Sequence, residues 1–330
     1  MTAERLFGWR HALDHPVTLW IIVGIALALG VATLATIILA KAGLIGENLR
    51  RELWLRTRSW AIIVLLIVIP VLLGAFWTIL LICALSLVCY REYARATGLF
   101  RERIVSATVA LGILFLNFAI LDHWYGFFVA LLPLSVGVIA VASIPADRPA
   151  GYIQRVALGI FGFLLFGSAL GHLGYMANDW NYRPILLMIL AAVGLNDVGA
   201  YVTGKTLGGP KLLPHTSPNK TVSGAIGGLV VTTVFVFALS GPIFAETTLA
   251  GVWHRLGLGL IIGVAGQLGD LMLSSIKRDL GVKDTGAVIP GHGGVLDRAN
   301  SLLLVAPSVF HYVGYFVGFG LDQPTRILSG

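Results

Sequence analysis

Long runs of apolar residues, each long enough to cross a lipid bilayer, limit what this chain can become. From Val17 to Ala40 no position is charged. About 20 apolar residues span the hydrocarbon core as a helix, because backbone groups in lipid must find their partners within the segment. Similar stretches occupy 17–40, 60–74, 75–90, 104–121, 124–144, 153–176, 183–204, 222–244, 252–276 and 300–320. The fold class read from them is all-α, a polytopic integral membrane protein with about ten transmembrane helices. The second and third stretches are short and part only around Gly74, after Pro70, so they form either one long kinked pair or a re-entrant hairpin. With 57% hydrophobic and 12% charged residues, the 330-residue chain is no ordinary soluble domain, where about a quarter of positions are charged. Nothing in it resembles a linker, a low-complexity tract or a short repeat, so residues 1–330 read as a single membrane domain.

The net charge of +7 would fit a nucleic-acid binder, but the basic residues lie between apolar runs. Lys41, Arg50, Arg51, Arg56 and Arg58 outnumber Glu47 and Glu52 in segment 41–58; Arg91, Arg95, Arg101 and Arg103 outnumber Glu92 and Glu102 in 91–103. The alternate loops, near 122, 180 and 250, are nearly bare. Basic loops mark the cytoplasmic side. On that rule the N-terminus lies outside, and the loops at 205–221 and 277–299 lie in the cytoplasm, where nucleotides are found. No nucleic-acid partner is expected. Cys83 and Cys89 lack ligand spacing with any partner and read as small buried hydrophobes. The run from Val17 is too long for the apolar core of a cleaved signal peptide, about 7–15 residues, and is read as a retained span.

Two polar clusters interrupt the apolar pattern. The first, Asp270 to Ser301, gathers Asp270, Lys277, Arg278, Asp279, Lys283, Asp284, His292, Asp297 and Arg298. Helical periodicity places Asp270, Ser274, Lys277 and Arg278 on one face, which leads to the glycine-rich turn Pro290-Gly291-His292-Gly293-Gly294. Carboxylates bind hard cations through oxygen, and lysine and arginine bind phosphate oxygens. Together they point to a metal-assisted phosphate site at the membrane surface. The second cluster starts at Leu195-Asn196-Asp197 inside an apolar span, where a carboxylate costs several kcal/mol unless paired or solvated. Asp197, Tyr201 and Lys205 recur every four residues. A buried ion pair would account for Asp197, but the following loop favours a substrate or metal site. That loop carries Lys205, Lys211 and Lys220 without an acid, and Ser217 and Thr221 flank a turn. Thr221 opens a helix whose N-terminal amides attract anions. The spacing is not that of a Walker A loop.

Both clusters resemble the signatures of the phosphatidate cytidylyltransferases, or CDP-diacylglycerol synthases. The first family pattern is Asp, three residues, Ser, two residues, Lys-Arg, four residues, Lys-Asp, then Pro-Gly-His-Gly-Gly, two residues and Asp-Arg. It is matched here by Asp270, Ser274, Lys277-Arg278, Lys283-Asp284, Pro290 to Gly294 and Asp297-Arg298. The second pattern is matched by Ser217-Pro218, Lys220-Thr221, Gly224 and Gly227-Gly228. The resemblance covers residues 55 to 320, most strongly 194–228 and 266–301. Residues 1–55 then read as an extra N-terminal span and 56–330 as a cytidylyltransferase-like core. Two positions depart from the family: Asn300 stands where a second Asp is usual, keeping an oxygen but losing a charge, and Ser223 stands where a Glu is common.

The resemblance implies transfer of a cytidylyl group from CTP to phosphatidate, giving CDP-diacylglycerol and pyrophosphate for phospholipid synthesis. It implies Mg²⁺ as cofactor, Asp270, Asp297 and Asp284 as metal ligands, and Asp270, Asp297, Lys277 and Arg278 as catalytic residues. Ser217, Lys220, Thr221, Lys205, Ser274, Lys283, His292, Arg298 and Asp197 then contact substrate. Asp284 either ligates or holds Lys283, and His292 either donates to a phosphate or caps backbone carbonyls. The implied setting is the bacterial inner membrane with its lipid, with the site facing the cytoplasm and a homodimer as an open option. The charges of Arg91-Glu92-Tyr93-Ala94-Arg95, just past the third span, read as side chains that snorkel from a helix end beside an interfacial tyrosine; the family tends to carry a Glu-Tyr pair at the end of an early span, which leaves a structural pairing role open for Glu92. His215 and His311 read as interfacial or packed, and Gly257, Gly259, Gly263 and Gly266 as helix-packing residues rather than a lipid groove. Asn300 and Ser223 keep a second reading open, a paralogue with altered acceptor or weakened activity. A transporter of phosphorylated solutes would need paired broken helices in inverted halves, for which no match is found.

Overall fold

Helix is the only backbone solution for most of this chain, and the computed structural model, which describes residues 2–286 and 293–330, is built almost wholly from it. A short α1 (Thr2–Phe7) precedes α2 (Pro16–Lys41), α3 (Glu47–Leu73), α4 (Ala75–Ala96), α5 (Arg103–Leu121) and α6 (Tyr125–Ala142). Then come α7 (Tyr152–Gly162) and α8 (Leu170–Met176), joined through a π-helical stretch at Phe163–Ala169, and α9 (Tyr182–Leu207), α10 (Val222–Ile243) and α11 (Val252–Asp279). The one-turn α12 (Leu296–Ala299) leads into α13 (Leu302–Phe316). Among the described residues, nine helices are long and apolar enough to cross a membrane. The tenth expected span, α13, has 15 residues. That is shorter than the hydrocarbon core requires.

Glycine resolves the ambiguity at the second and third spans. Gly74, at φ 140°, is the only residue between α3 and α4, and a Cβ there would lie 2.3 Å from the Leu6 carbonyl oxygen. The two stretches are therefore separate helices that meet at a residue only glycine can supply. The apolar run of the second span starts at 60, whereas α3 begins at Glu47. Arg50, Arg51, Arg56 and Arg58 thus stand on a helix rather than in a loop. Charge does not end a helix that has left the hydrocarbon, and Glu47–Arg50 at 3.3 Å and Glu52–Arg56 at 2.6 Å support its first turns. A second difference lies in 211–221, read as a loop from sequence. There β1 (Lys211–Leu213) and β2 (Ser217–Thr221) form an antiparallel ribbon pairing Lys211 with Thr221 and Leu213 with Ser217.

Polar contacts sort the helix ends onto two faces. On one, Arg5 donates to Asn178 (2.7 Å) and to the Leu121 carbonyl (3.0 Å), Arg183 reaches the Gly8 carbonyl (2.8 Å), and Asp122 accepts from the amides of Leu328 and Ser329. On the other, Arg148 meets Glu102 (2.6 Å), Arg278 meets the Thr216 carbonyl (3.3 Å), Lys220 meets Asp270 and Lys277 meets Asp297. The polar cluster at 205–221 and the described residues of the one at 277–299 thus share one face, opposite the N-terminus.

Helices α9, α10 and α11 approach closely because glycines face their neighbours. A Cβ on Gly259 would sit 2.7 Å from Thr233 Cα, one on Gly263 2.6 Å from Leu229, and one on Gly228 2.5 Å from the Asn196 side chain. Without water to drive association in lipid, such close contact holds helices together. Gly259→Ala should therefore lower the thermal midpoint in detergent by an amount equivalent to about 1–3 kcal/mol of overpacking. Gly137→Ala, with nothing within 4 Å of the added methyl, should leave it unchanged or raise it.

Candidate active site

Two carboxylates organise the site, and each is held by its own lysine. Asp270 is carried by α11, just after Gly269, whose missing side chain lets the helix pass 2.7 Å from the Asn300 carbonyl as measured from an added Cβ. Lys220, at the end of β2, contacts Asp270 Oδ2, and the Asn300 amide nitrogen donates to Oδ1. The side chains of Lys220 and Asp270 are 29% and 20% exposed, so the pair is reachable from outside. Next to Lys220, Thr221 caps α10 by accepting from the Gly224 amide at 3.1 Å. Gly204 and Gly224 bring the end of α9 against this cap, since a Cβ on Gly204 would lie 2.8 Å from Thr221 Oγ1.

Asp297, in α12, is buried. Its Oδ1 accepts from Lys277 Nζ at 2.8 Å, and its Oδ2 accepts from the Thr285 amide (3.0 Å), the Thr285 hydroxyl (3.1 Å) and the Gly294 amide (3.0 Å). That is about the full acceptor capacity of a carboxylate. Burial alone would raise its pKa, but the Lys277 hydrogen bond and the amides of Gly294 and Thr285 outweigh it and hold Asp297 below the usual carboxylate range. Lys277 is thereby fixed two turns beyond Asp270 on the same face of its helix, as the seven-residue spacing implies.

A third carboxylate, Asp197 on α9, is exposed and lies within electrostatic reach of Asp270, Lys220 and Arg298. The helix surface bearing it is set by a pair of amides. Asn196 donates to the Gly263 carbonyl (2.9 Å) and accepts from Gln267 (3.1 Å), which also donates to the Ala225 carbonyl (2.8 Å). These two side chains tie α9, α10 and α11 together directly beside Asp197 and Asp270. Sequence reasoning passed over Gln267, although an amide three residues before Asp270 in an apolar span was a usable signal.

The other expected residues fall into groups. Arg278 holds the ribbon and its own helix end through the carbonyls of Thr216 and Val282, each at 3.3 Å. Ser217 begins β2, Ser274 is buried on α11, and Lys283 and Asp284 are exposed beyond it. A Cβ on Gly293 would lie 3.3 Å from Asp284 Oδ1 and 3.1 Å from Asp297 Oδ2, so both carboxylates flank that glycine. Lys205 is exposed, with its ammonium 5.7 Å over the Tyr201 ring. His292 lies outside the described residues. Asn300 does not offer its oxygen to the site: Oδ1 accepts from the Ser301 amide at 2.8 Å while the nitrogen faces Asp270. Ser223 donates to the Gly208 carbonyl.

Among the described residues, no group of three or more His, Cys, Asp or Glu side chains converges to hold a metal unaided. The donor chemistry nevertheless suits Mg²⁺, which commonly takes one or two carboxylates and completes its shell with water and substrate phosphates. Asp197 and Asp270 supply two hard oxygen donors from facing helices, and the Lys220 ammonium on Asp270 marks where positive charge is already favoured.

Comparison with known proteins gives a consistent result. The sequence profile described as the Cytidylyltransferase family matches residues 54–316. A protein of Escherichia coli strain K12 named "Uncharacterized protein YnbB" is 32% identical over 271 residues, covering 80% of this chain and 88% of that protein. Phosphatidate cytidylyltransferases of Staphylococcus haemolyticus and Staphylococcus aureus strain COL are 33% and 34% identical over 251 residues, covering 75% of this chain and 94% of each.

The depressed pKa of Asp297 has a thermodynamic sign. Its stabilisation is fully present above the unfolded carboxylate value of about 4 and is lost as pH falls through the lower folded value. The gap in thermal midpoint between the native protein and Asp297→Asn should thus be widest near neutral pH and shrink below about pH 4. A differential scan across that range measures it.

Proposed function

The chain belongs to the cytidylyltransferase family, and from that premise we propose that this integral membrane nucleotidyltransferase moves a cytidylyl group from CTP to phosphatidate. The observation that carries the reading is the contact of Lys220 with Asp270, with Asp197 and Arg298 within electrostatic reach, on the face that also carries Lys277 and Asp297. An oxygen of the acceptor phosphate attacks the α-phosphorus of CTP. The new P–O bond forms as the bond to the bridging oxygen breaks, and pyrophosphate leaves with that electron pair. A phosphate monoester has a second pKa of about 6 and is already largely ionised near neutral pH, so no protein base is required.

What the reaction needs is charge neutralisation and alignment. Lys220 and Arg298 lie beside the acidic pair and contact phosphate oxygens; Lys277, aimed by Asp297, shares the charge that grows on the departing pyrophosphate. Asp270 would hold Mg²⁺ together with Asp197; Asp297, implied as a ligand by the family motif, has its oxygens taken by Lys277, Thr285 and Gly294 and would instead act through Lys277. The ion, when bound, supplies Lewis-acid stabilisation of the triphosphate. Ser217, Thr221 and the α10 amides form the wall against the nucleotide, and Lys205 and Lys283 lie at its exposed margin. The acceptor enters sideways from the bilayer, where Val198, the residue after Asp197, is 58% exposed. A two-chain lipid can lie along that surface with its phosphate at Lys220. The polar face that bears the site is the basic one, and the bias of basic loops towards the cytoplasm supports a site on the cytoplasmic side of a bacterial inner membrane.

One observation supports a second reading, a paralogue of weaker or altered activity: the Asn300 amide donates to Asp270, partly neutralising the carboxylate that receives the ion. Asn300→Asp should then lower the Mg²⁺ concentration for half-maximal activity and raise turnover; no change at any Mg²⁺ concentration would count against it. The main reading is tested with radiolabelled CTP and a panel of phosphorylated lipids. Phosphatidate should give a labelled lipid and pyrophosphate in equal amounts, and Asp270→Ala or Lys220→Ala should cut the rate by about 10²-fold or more. Labelling of another acceptor in its place would replace phosphatidate as substrate.

A further inference from the structure

We infer that Glu92 is a positioning residue of this transferase, acting through the backbone that presents Asp297; the inference rests on the function proposed above. Glu92 belongs to α4, remote in sequence from the polar clusters, and only 7% of it is exposed. It stands four residues before the helix end, where the helix dipole opposes a negative charge. A buried carboxylate in that position is costly unless its oxygens are bonded.

They are bonded to the segment that carries Asp297. Glu92 Oε1 accepts from the Val295 amide at 3.0 Å and Oε2 from the Leu296 amide at 2.8 Å. These are the amides of the N-cap residue and the first residue of α12, which have no partner within so short a helix. The Thr285 hydroxyl lies 3.4 Å from Glu92 Oε2 and 3.1 Å from Asp297 Oδ2, so it sits between the two carboxylates. Glu92 takes the amides of 295 and 296, and Asp297 takes those of 285 and 294. The same stretch of backbone is gripped from both sides. Close approach depends on glycine: an added Cβ on Gly294 would lie 2.5 Å from Glu92 Oε2, and one on Gly286 2.8 Å from Oε1.

Through this grip α4 fixes the direction of Asp297, and Asp297 fixes Lys277. A simple staple between α4 and α12 would affect only the amount of folded protein. A positioning role predicts a catalytic defect in protein that is folded. Supporting carboxylates around a reactive centre typically govern activity by about 10- to 100-fold.

The test compares native protein, Glu92→Gln and Thr285→Val in detergent. Amide hydrogen exchange is read over 293–300, and kcat, KM for CTP and the half-saturating Mg²⁺ concentration are measured per folded molecule. Glu92→Gln replaces one acceptor with a donor facing a backbone amide. It should speed exchange over 294–297 about tenfold, reduce kcat at least tenfold and raise the Mg²⁺ requirement, with KM for CTP changed less than about threefold. Thr285→Val should move the same quantities in the same direction, less far. Unchanged exchange in Glu92→Gln overturns the inference, as does faster exchange with native kcat and Mg²⁺ dependence. If Glu92→Gln yields no folded protein, Thr285→Val decides by the same criteria. A native protein without transferase activity would instead overturn the proposed function and the catalytic half of this inference. The exchange result would still report whether Glu92 holds 294–297.

Discussion

A carboxylate inside an apolar helical bundle can stay charged only against a cation or a set of donors. That requirement governs the site. Asp270 is met by Lys220 from the ribbon and Asn300 from the end of α12, and Asp297 by Lys277 and three donors from the loop before it. The partners come from elements far apart in sequence, so satisfying the charges also assembles the face. Removing Lys277 would leave Asp297 buried without its cation, which costs more than the intact pair contributes.

The scaffold makes these meetings close. Glycines at 199, 204, 224 and 228 let α9 and α10 touch backbone to backbone, Gly259 and Gly263 do the same for α10 and α11, and Gly266 leaves room for the Asn196 side chain. Such contact leaves little freedom for the helices to slide. The Asn196–Gln267 amides fix the remaining rotation within one helical turn of Asp197 and Asp270. A nucleotide arriving at this face would meet charges whose positions are already set, the condition under which electrostatic stabilisation is strongest.

Much of this was legible in the residues because intramembrane charge is expensive and therefore conspicuous. Asp197, Asp270, Lys277 and Asp297 stand out against apolar runs, and the helical spacing from Asp270 to Lys277 already implied a shared face. The span pattern was legible for the same reason, and the family followed from motif spacing. Other features depend on tertiary placement. Glu92 and Thr285 are 193 residues apart in sequence, and no local pattern links them. The strands at 211–213 and 217–221 are too short for alternation to show. The start of α3 was hidden because charge outside the hydrocarbon ends an apolar run without ending a helix. Asn300 looked like an oxygen ligand with one charge missing; its amide turns the nitrogen to Asp270 because the Ser301 amide claims the oxygen.

The account comes down to a cation bound at Asp270 together with the nucleotide. Mn²⁺ titration followed by electron paramagnetic resonance, with and without CTP and with no lipid acceptor present, measures this directly. The account predicts saturable binding that tightens when CTP is added and is lost in Asp270→Asn. Equal Mn²⁺ binding by the native protein and that variant, in the presence of CTP, would contradict it.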